Sequence, residues 1–254
     1  MNVLMLLAFA IAPGICIGIF IYLKDKHERE PIGLLVKSFF YGMGSVAVTL
    51  LISIPLSKFI PIDEQDLSQQ AVHAFIIVAL VEEFSKYLFV RGILFRNPNF
   101  NEPFDGIVYS VMVSMGFATL ENVMYVVQGG WSVAVLRMFT AVPAHASFAV
   151  LMGYYLGLSK FVHHKSHYGW YGLGIATFFH GSYDYFWFIG EVEGVWLGIV
   201  FGAIVSLVVG IQLSRKAIKI HQEASPFQSQ PEAVVDIPSE TTSPPDQNPD
   251  SKQS

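Results

Sequence analysis

Glu82 and Glu83 are adjacent carboxylates inside an otherwise apolar run, residues 71–81 before them and 87–90 after. Each ionisable group at membrane depth costs a few kcal/mol or more. Neighbouring carboxylates also repel, which disfavours ionising both. Such a pair suits general acid–base work, one group taking a proton from water while the other stays protonated. Lys86 follows at i+4 from Glu82 and i+3 from Glu83, so a helix puts the three on one face. A purely structural ion pair would need one carboxylate, not two.

Three further apolar runs carry ionisable groups. Phe117-Ala118-Thr119-Leu120-Glu121-Asn122 adds a carboxylate and, in Asn122, a candidate donor to a developing oxyanion. Pro143-Ala144-His145-Ala146 adds an imidazole. His180-Gly181-Ser182-Tyr183-Asp184 adds a histidine and an acid at i, i+4, where Asp184 can set the tautomer of His180. Glu121, His145 and His180 would form a two-histidine, one-carboxylate set of zinc type with an open fourth position. A metal-free glutamate mechanism stands level with it. Arg137 reads as a snorkelling residue, and His163-His164-Lys165-Ser166-His167 as a solvated positive turn. Other protease signatures are incomplete. His27-Glu28-Arg29-Glu30-Pro31 lacks the second histidine of HExxH, and no Gly-x-Gly-Asp or Gly-x-Ser-Gly setting occurs at Tyr183-Asp184 or Gly181-Ser182.

The elements that must position these residues are membrane helices. The chain has 254 residues, 53% hydrophobic and 14% charged, against about 25% charged in soluble domains. Seven runs are long enough to span: 2–23, 33–57, 71–95, 104–127, 132–159, 169–189 and 194–214. Helices satisfy their own backbone in lipid, so the expected fold is an all-α bundle of about seven spans. The first run lacks a basic leader region and a cleavage site before Lys24, so it reads as a span rather than a signal peptide. Gly14-x3-Gly18, Gly153-x3-Gly157 and Gly194-x3-Gly198-x3-Gly202 read as seams for close helix packing.

Lys24, Lys26, Arg29, Arg91, Arg96, Lys160, Lys165, Arg215, Lys216 and Lys219 fall in alternate loops. The other loops carry Asp63, Glu64, Asp66, Glu191 and Glu193, or the neutral Gln128-Gly129-Gly130. That asymmetry predicts the N-terminus outside and the C-terminus in the cytoplasm. Trp131, Trp170, Trp187 and Trp196 lie near predicted helix ends, as an aromatic belt requires. From residue 221 onward, six acids and one base account for the whole net charge of −5, and the remainder is balanced at 14 acids and 14 bases. The expected organisation is a membrane domain over 1–220, with its active core at 71–189, and a disordered cytoplasmic tail over 221–254. No basic field suggests nucleic acid. The single Cys16 allows no intrachain disulfide.

Taken together, the motifs resemble the PrsW family of intramembrane proteases, itself similar to CAAX-processing and bacteriocin self-immunity proteases. The resemblance covers residues 82–184. Glu82-Glu83-x-x-Lys86 is similar to the family's first motif. Phe117-x-x-x-Glu121 has glutamate where CAAX-type enzymes have histidine, and His180 with Asp184 resembles the last motif. The resemblance implies peptide-bond cleavage in or beside a bacterial cytoplasmic membrane. The implied catalytic residues are Glu82, Glu83, Glu121, His145 and His180, supported by Lys86, Asn122 and Asp184. The implied partner is a single-span, anti-sigma-factor-like substrate cut on its outer side, in a stress response. The alternatives are a prenyl-protein peptidase and, outside enzymes, a proton-coupled carrier, which would also place Glu, His and Asp in spans. Oligomeric state is left open.

Overall fold

The computed structural model describes residues 3–162, 167–190 and 199–227. Expectations placed on 163–166, Glu191, Glu193, Gly194, Trp196, Gly198 and 228–254 lie outside the described residues. Among the described residues the fold is all-helical. The elements are α1 (Val3–Lys24), α2 (Ile32–Phe59), α3 (Leu67–Val72), α4 (Val81–Gly92), α5 (Pro103–Phe139), α6 (Ala141–Gly157), α7 (His167–Ile189) and α8 (Ile204–Glu223).

α5 is the central element. Its start is fixed by a capping box between Glu102 and Asp105, with Pro103 in the first turn. From Pro103 to Val111 every side chain is buried, which is the pattern of a helix surrounded by others. Close approach comes from glycine. A Cβ on Gly42 of α2 would lie 1.8 Å from the Val113 carbonyl oxygen, and one on Gly116 would lie 1.8 Å from that of Phe39. Gly106 of α5 and Gly153 of α6 pack backbone to backbone in the same way. Of the expected seams, Gly14-x3-Gly18 faces Thr119 and Met112 of α5, and Gly153-x3-Gly157 faces Gly106 and Pro103. Gly202 of the third seam meets the Phe186 ring.

Three breaks shape the site. The run 67–92 is one helical path wound as a π-helix over His73–Leu80, ending immediately before the glutamate pair. A π-turn shifts the register of the side chains that follow it. α5 reverses at Gly130, whose φ of 68° is open to glycine at little cost. Its return leg packs Ala134 beside Val126 and Ala10. The third break is at Thr140, between α5 and α6. Pro143 follows in the first turn of α6, where its missing N–H costs no helical bond. The expected 132–159 span is therefore two pieces.

Among the described residues, four stretches are long and apolar enough to cross a membrane: Val3–Lys24, Ile32–Phe59, Pro103–Phe161 and Phe201–Glu223. The third holds 59 residues, far beyond one crossing, and contains the reversal at Gly130. α8 runs three residues into the segment expected to be tail. His221 and Ser225 are buried there, because the Gln222 side chain donates to the Lys24 carbonyl and Ser225 Oγ donates to Glu102.

Candidate active site

α4 to α7 each bring part of one buried polar cluster. Glu82, Glu83 and Lys86 stand on consecutive turns of α4, and all three are buried. Lys86 Nζ donates to Glu83 Oε1 at 2.7 Å and lies 3.6 Å from Glu82 Oε2. The ammonium also sits over the Phe117 ring, 4.2 Å from its centroid. Phe117 and Glu121 are i, i+4 on α5, so one helix face supplies both the aromatic seat for Lys86 and the third carboxylate.

His145 of α6 bridges two of these groups. Its Nδ1 is 3.3 Å from Lys86 Nζ, and its Nε2 is 2.9 Å from Glu121 Oε2. An ammonium only donates, so in this arrangement Nδ1 accepts and Nε2 donates to the carboxylate. Ser114 Oγ donates to the His145 carbonyl at 3.0 Å and ties α6 to α5. His180 of α7 lies between two acids. Its Nδ1 is 2.8 Å from Glu83 Oε1, and its Nε2 is 3.1 Å from Asp184 Oδ2. Phe148 stacks on the His180 ring at 5.0 Å, which holds its plane.

Arg137 is the residue that spacing alone did not find. It sits on the return leg of α5 and pairs with Glu121 Oε2 at 2.8 Å, while its Nε donates to Asn122 Oδ1 at 2.6 Å. The snorkelling expectation fails because the reversal at Gly130 turns this side chain inward. Asn122 is fully buried, with Nδ2 toward the Ala10 carbonyl at 3.4 Å. The glycine pair at 129–130 was legible as a turn, but not which residues it would bring face to face.

A cavity of about 370 Å³ opens on this cluster. Glu82, Glu121, Arg137, His145, His180 and Asp184 line it, with Tyr125, Trp187 and Phe188 on its apolar walls. Glu82 lines the cavity and Glu83 does not. Glu82 Oε2 makes no hydrogen bond but lies 3.6 Å from Lys86 Nζ and 3.9 Å from His180 Nε2.

Residues of this kind fit a divalent cation. Ligand atoms of Glu82, His145 and His180 lie within 4.8 Å of one another. The expected trio had Glu121 in place of Glu82. Glu121 and His145 pair with each other here, and Glu121 also with Arg137, so in either set His145 would exchange its contact with Glu121 or Lys86 for the cation. Glu83 on His180 Nδ1 is placed to orient that imidazole if it were to hold a cation. Glu82, Glu83, Glu121 and Asp184 face two permanent cations, Lys86 and Arg137, which leaves two negative charges to be balanced by a dication or by protons.

This arrangement has known relatives. A sequence model described as "PrsW family intramembrane metalloprotease" matches residues 30–211. The chain belongs to the PrsW family. Protease PrsW of Geobacillus kaustophilus (strain HTA426) is 36% identical over 195 residues, covering 76% of this chain and 84% of that protein. Protease PrsW of Bacillus subtilis (strain 168) is 34% identical over 182 residues, covering 71% and 81%. That of Clostridioides difficile (strain 630) is 34% identical over 218 residues, covering 83% and 89%. No solved structure matches the chain. The PrsW assignment spans every residue of the cluster and makes this a membrane-embedded bacterial protease.

Proposed function

We propose that this PrsW-family chain is an endopeptidase that hydrolyses a peptide bond of a membrane-anchored protein, with Glu82 as the group that handles water. The observation that carries the reading is the convergence of Glu82, His145 and His180 on one cavity. In the hydrolytic step, Glu82 takes a proton from water as the oxygen attacks the scissile carbonyl carbon. His180, held by Glu83 and Asp184, and His145 stabilise the oxyanion. The C–N bond then breaks, and the proton held by Glu82 passes to the leaving amine. Lys86 holds Glu83, while Arg137 and Asn122 hold Glu121 in place.

Zinc bound by Glu82, His145 and His180 would supply Lewis acidity and a more acidic water at the same point. Glu121, beside His145, is then the nearest remaining carboxylate. The polar cluster is reached from within a helix bundle, so the substrate that fits is a single apolar span with its flanking strand. We infer an anti-sigma-factor-like protein cut on the outer side, in a seven-span enzyme of the cytoplasmic membrane with its N-terminus outside. The loop charges support that orientation.

The deciding experiment compares membrane proteomes of cells carrying wild type and the Glu82→Gln, Glu83→Gln double variant under envelope stress. New N-termini in single-span proteins, present only with wild type, are expected. Identical N-termini, with both proteins folded and equally abundant, would overturn the proposal. Loss of bound zinc in His145→Ala and His180→Ala, with cleavage unchanged, would remove the metal from the mechanism.

A further inference from the structure

A second cavity lies on the other side of α6, away from the catalytic cluster. It is a groove of about 580 Å³ between α1 and α8, floored by Val111 of α5 and Val150 of α6. α1 faces it with Ile17, Phe20, Ile21 and Lys24, the i, i+3, i+4, i+7 stripe of one helix face. α8 faces it with Ile211, Arg215, Ile218 and Lys219. Both helices belong to stretches apolar enough to cross a membrane, so the groove opens sideways to hydrocarbon.

We propose that this groove binds one anionic phospholipid, its acyl chain along the apolar walls and its phosphate among Lys24, Arg215 and Lys219. Apolar walls offer water too few polar partners, and an empty space of this size would forfeit dispersion contacts along both helices. An acyl chain restores those contacts. The charge is one-sided. Lys24 is the last residue of α1, and the Gln222 side chain, also lining the groove, donates to the Lys24 carbonyl. The cations therefore gather where the two helices converge. Lys219 lies 3.7 Å from Glu223, with both groups exposed. Among the described residues neither Lys24 nor Arg215 has an ion-pair partner. An apolar trough ending in basic side chains complements a lipid with a net negative headgroup, in the manner of basic pockets between membrane helices. A transmembrane peptide would meet no matching charge along the trough, and a zwitterionic headgroup would bring its own ammonium against the cations.

Native mass spectrometry of the full chain released from detergent, with phosphatidylglycerol or phosphatidylcholine added, tests this. A persistent phosphatidylglycerol adduct is expected, with phosphatidylcholine lost at the same activation and glycerol 1-phosphate alone giving no adduct. The Lys24→Gln, Arg215→Gln, Lys219→Gln variant should bind phosphatidylglycerol about a hundredfold more weakly. A control variant, Lys26→Gln, Lys37→Gln, Lys216→Gln, removes three cations that do not line the groove and should bind as wild type does. Ile17→Trp, with every cation kept, should displace the acyl chain and lose the adduct. Equal retention of the two lipids by wild type would overturn the proposal. So would equal losses in the groove and control variants, or a dimer mass without lipid, which would assign the groove to a second copy.

Discussion

Among the described residues, two buried clusters of acids are neutralised in opposite ways. In the candidate catalytic cluster, carboxylates are met by side-chain cations. Lys86 holds Glu83 at 2.7 Å and Arg137 holds Glu121 at 2.8 Å. The second cluster joins the α1–α2 loop to the start of α5 and the end of α8. It contains Asp25, Glu30, Glu102 and Asp105, all buried. Among the described residues no basic side chain forms a salt bridge with any of them. Glu30 accepts from the Tyr109 hydroxyl and Glu102 from Ser225. Both Asp25 carboxylate oxygens are buried without a hydrogen bond. Burial, and then the nearby Glu102, push Asp25 up to about 7. Glu30 and Glu102 are raised as well, chiefly by burial. The difference teaches that buried acids here are tolerated by either of two devices, a fixed cation or a shared proton. Of the two, the cation-balanced cluster is the one whose carboxylates, Glu82, Glu121 and Asp184, line the cavity of about 370 Å³.

The comparison breaks hardest at Lys86. Replacing it by Met leaves Glu83 buried beside Glu82 without its cation. A loss of roughly 3–5 kcal/mol in unfolding free energy is expected, read by denaturant unfolding in detergent. Adding Glu83→Gln to Lys86→Met should recover part of that loss. Full stability of Lys86→Met alone would show that this cluster too is balanced by protons.

Asp184→Asn should act on chemistry rather than on stability, because Asp184 touches the reacting groups only through His180. A loss of about 10–100-fold in cleavage rate is expected with little change in melting temperature. The loss should fall on kcat rather than KM, since a neutral amide holds the His180 ring less firmly than a carboxylate does. An unchanged kcat would reduce Asp184 to packing.

The smallest effect is at Asp25. Its folded pKa is raised, so its neutral form favours the fold. That contribution is fully present below the ordinary aspartate value near ~4 and is lost as pH rises through about 7. Wild type should therefore melt at a lower temperature at pH 8 than at pH 5, and Asp25→Asn should flatten that dependence. If the variant keeps the wild-type slope, another group sets it.

Much of the site was legible because helical spacing is a strong constraint. Glu82 with Lys86, Phe117 with Glu121, and His180 with Asp184 are all i, i+4 pairs; the first and last are ion pairs, and Phe117 and Glu121 reach the same cluster through Lys86 and His145. Membrane cost marked the same residues as purposeful before any packing was known. Arg137 was misread because its role depends on a reversal seven residues earlier. The π-helix before Glu82 left no mark, since its apolar residues suit an α-helix equally well.

By itself, the sequence determined an all-helical membrane protein with acids and histidines on successive apolar runs, because hydropathy and the 3.6-residue period act locally along the chain. Only the tertiary structure decided that Glu82 comes within reach of both histidines while Glu121 sits between His145 and Arg137, that Arg137 turns inward, and that α1 and α8 leave a basic-ended groove. Those outcomes depend on how closely backbones approach at Gly42, Gly106, Gly116 and Gly153 and on where helices break. Both are set by the summed packing of several helices, which no single stretch of chain specifies.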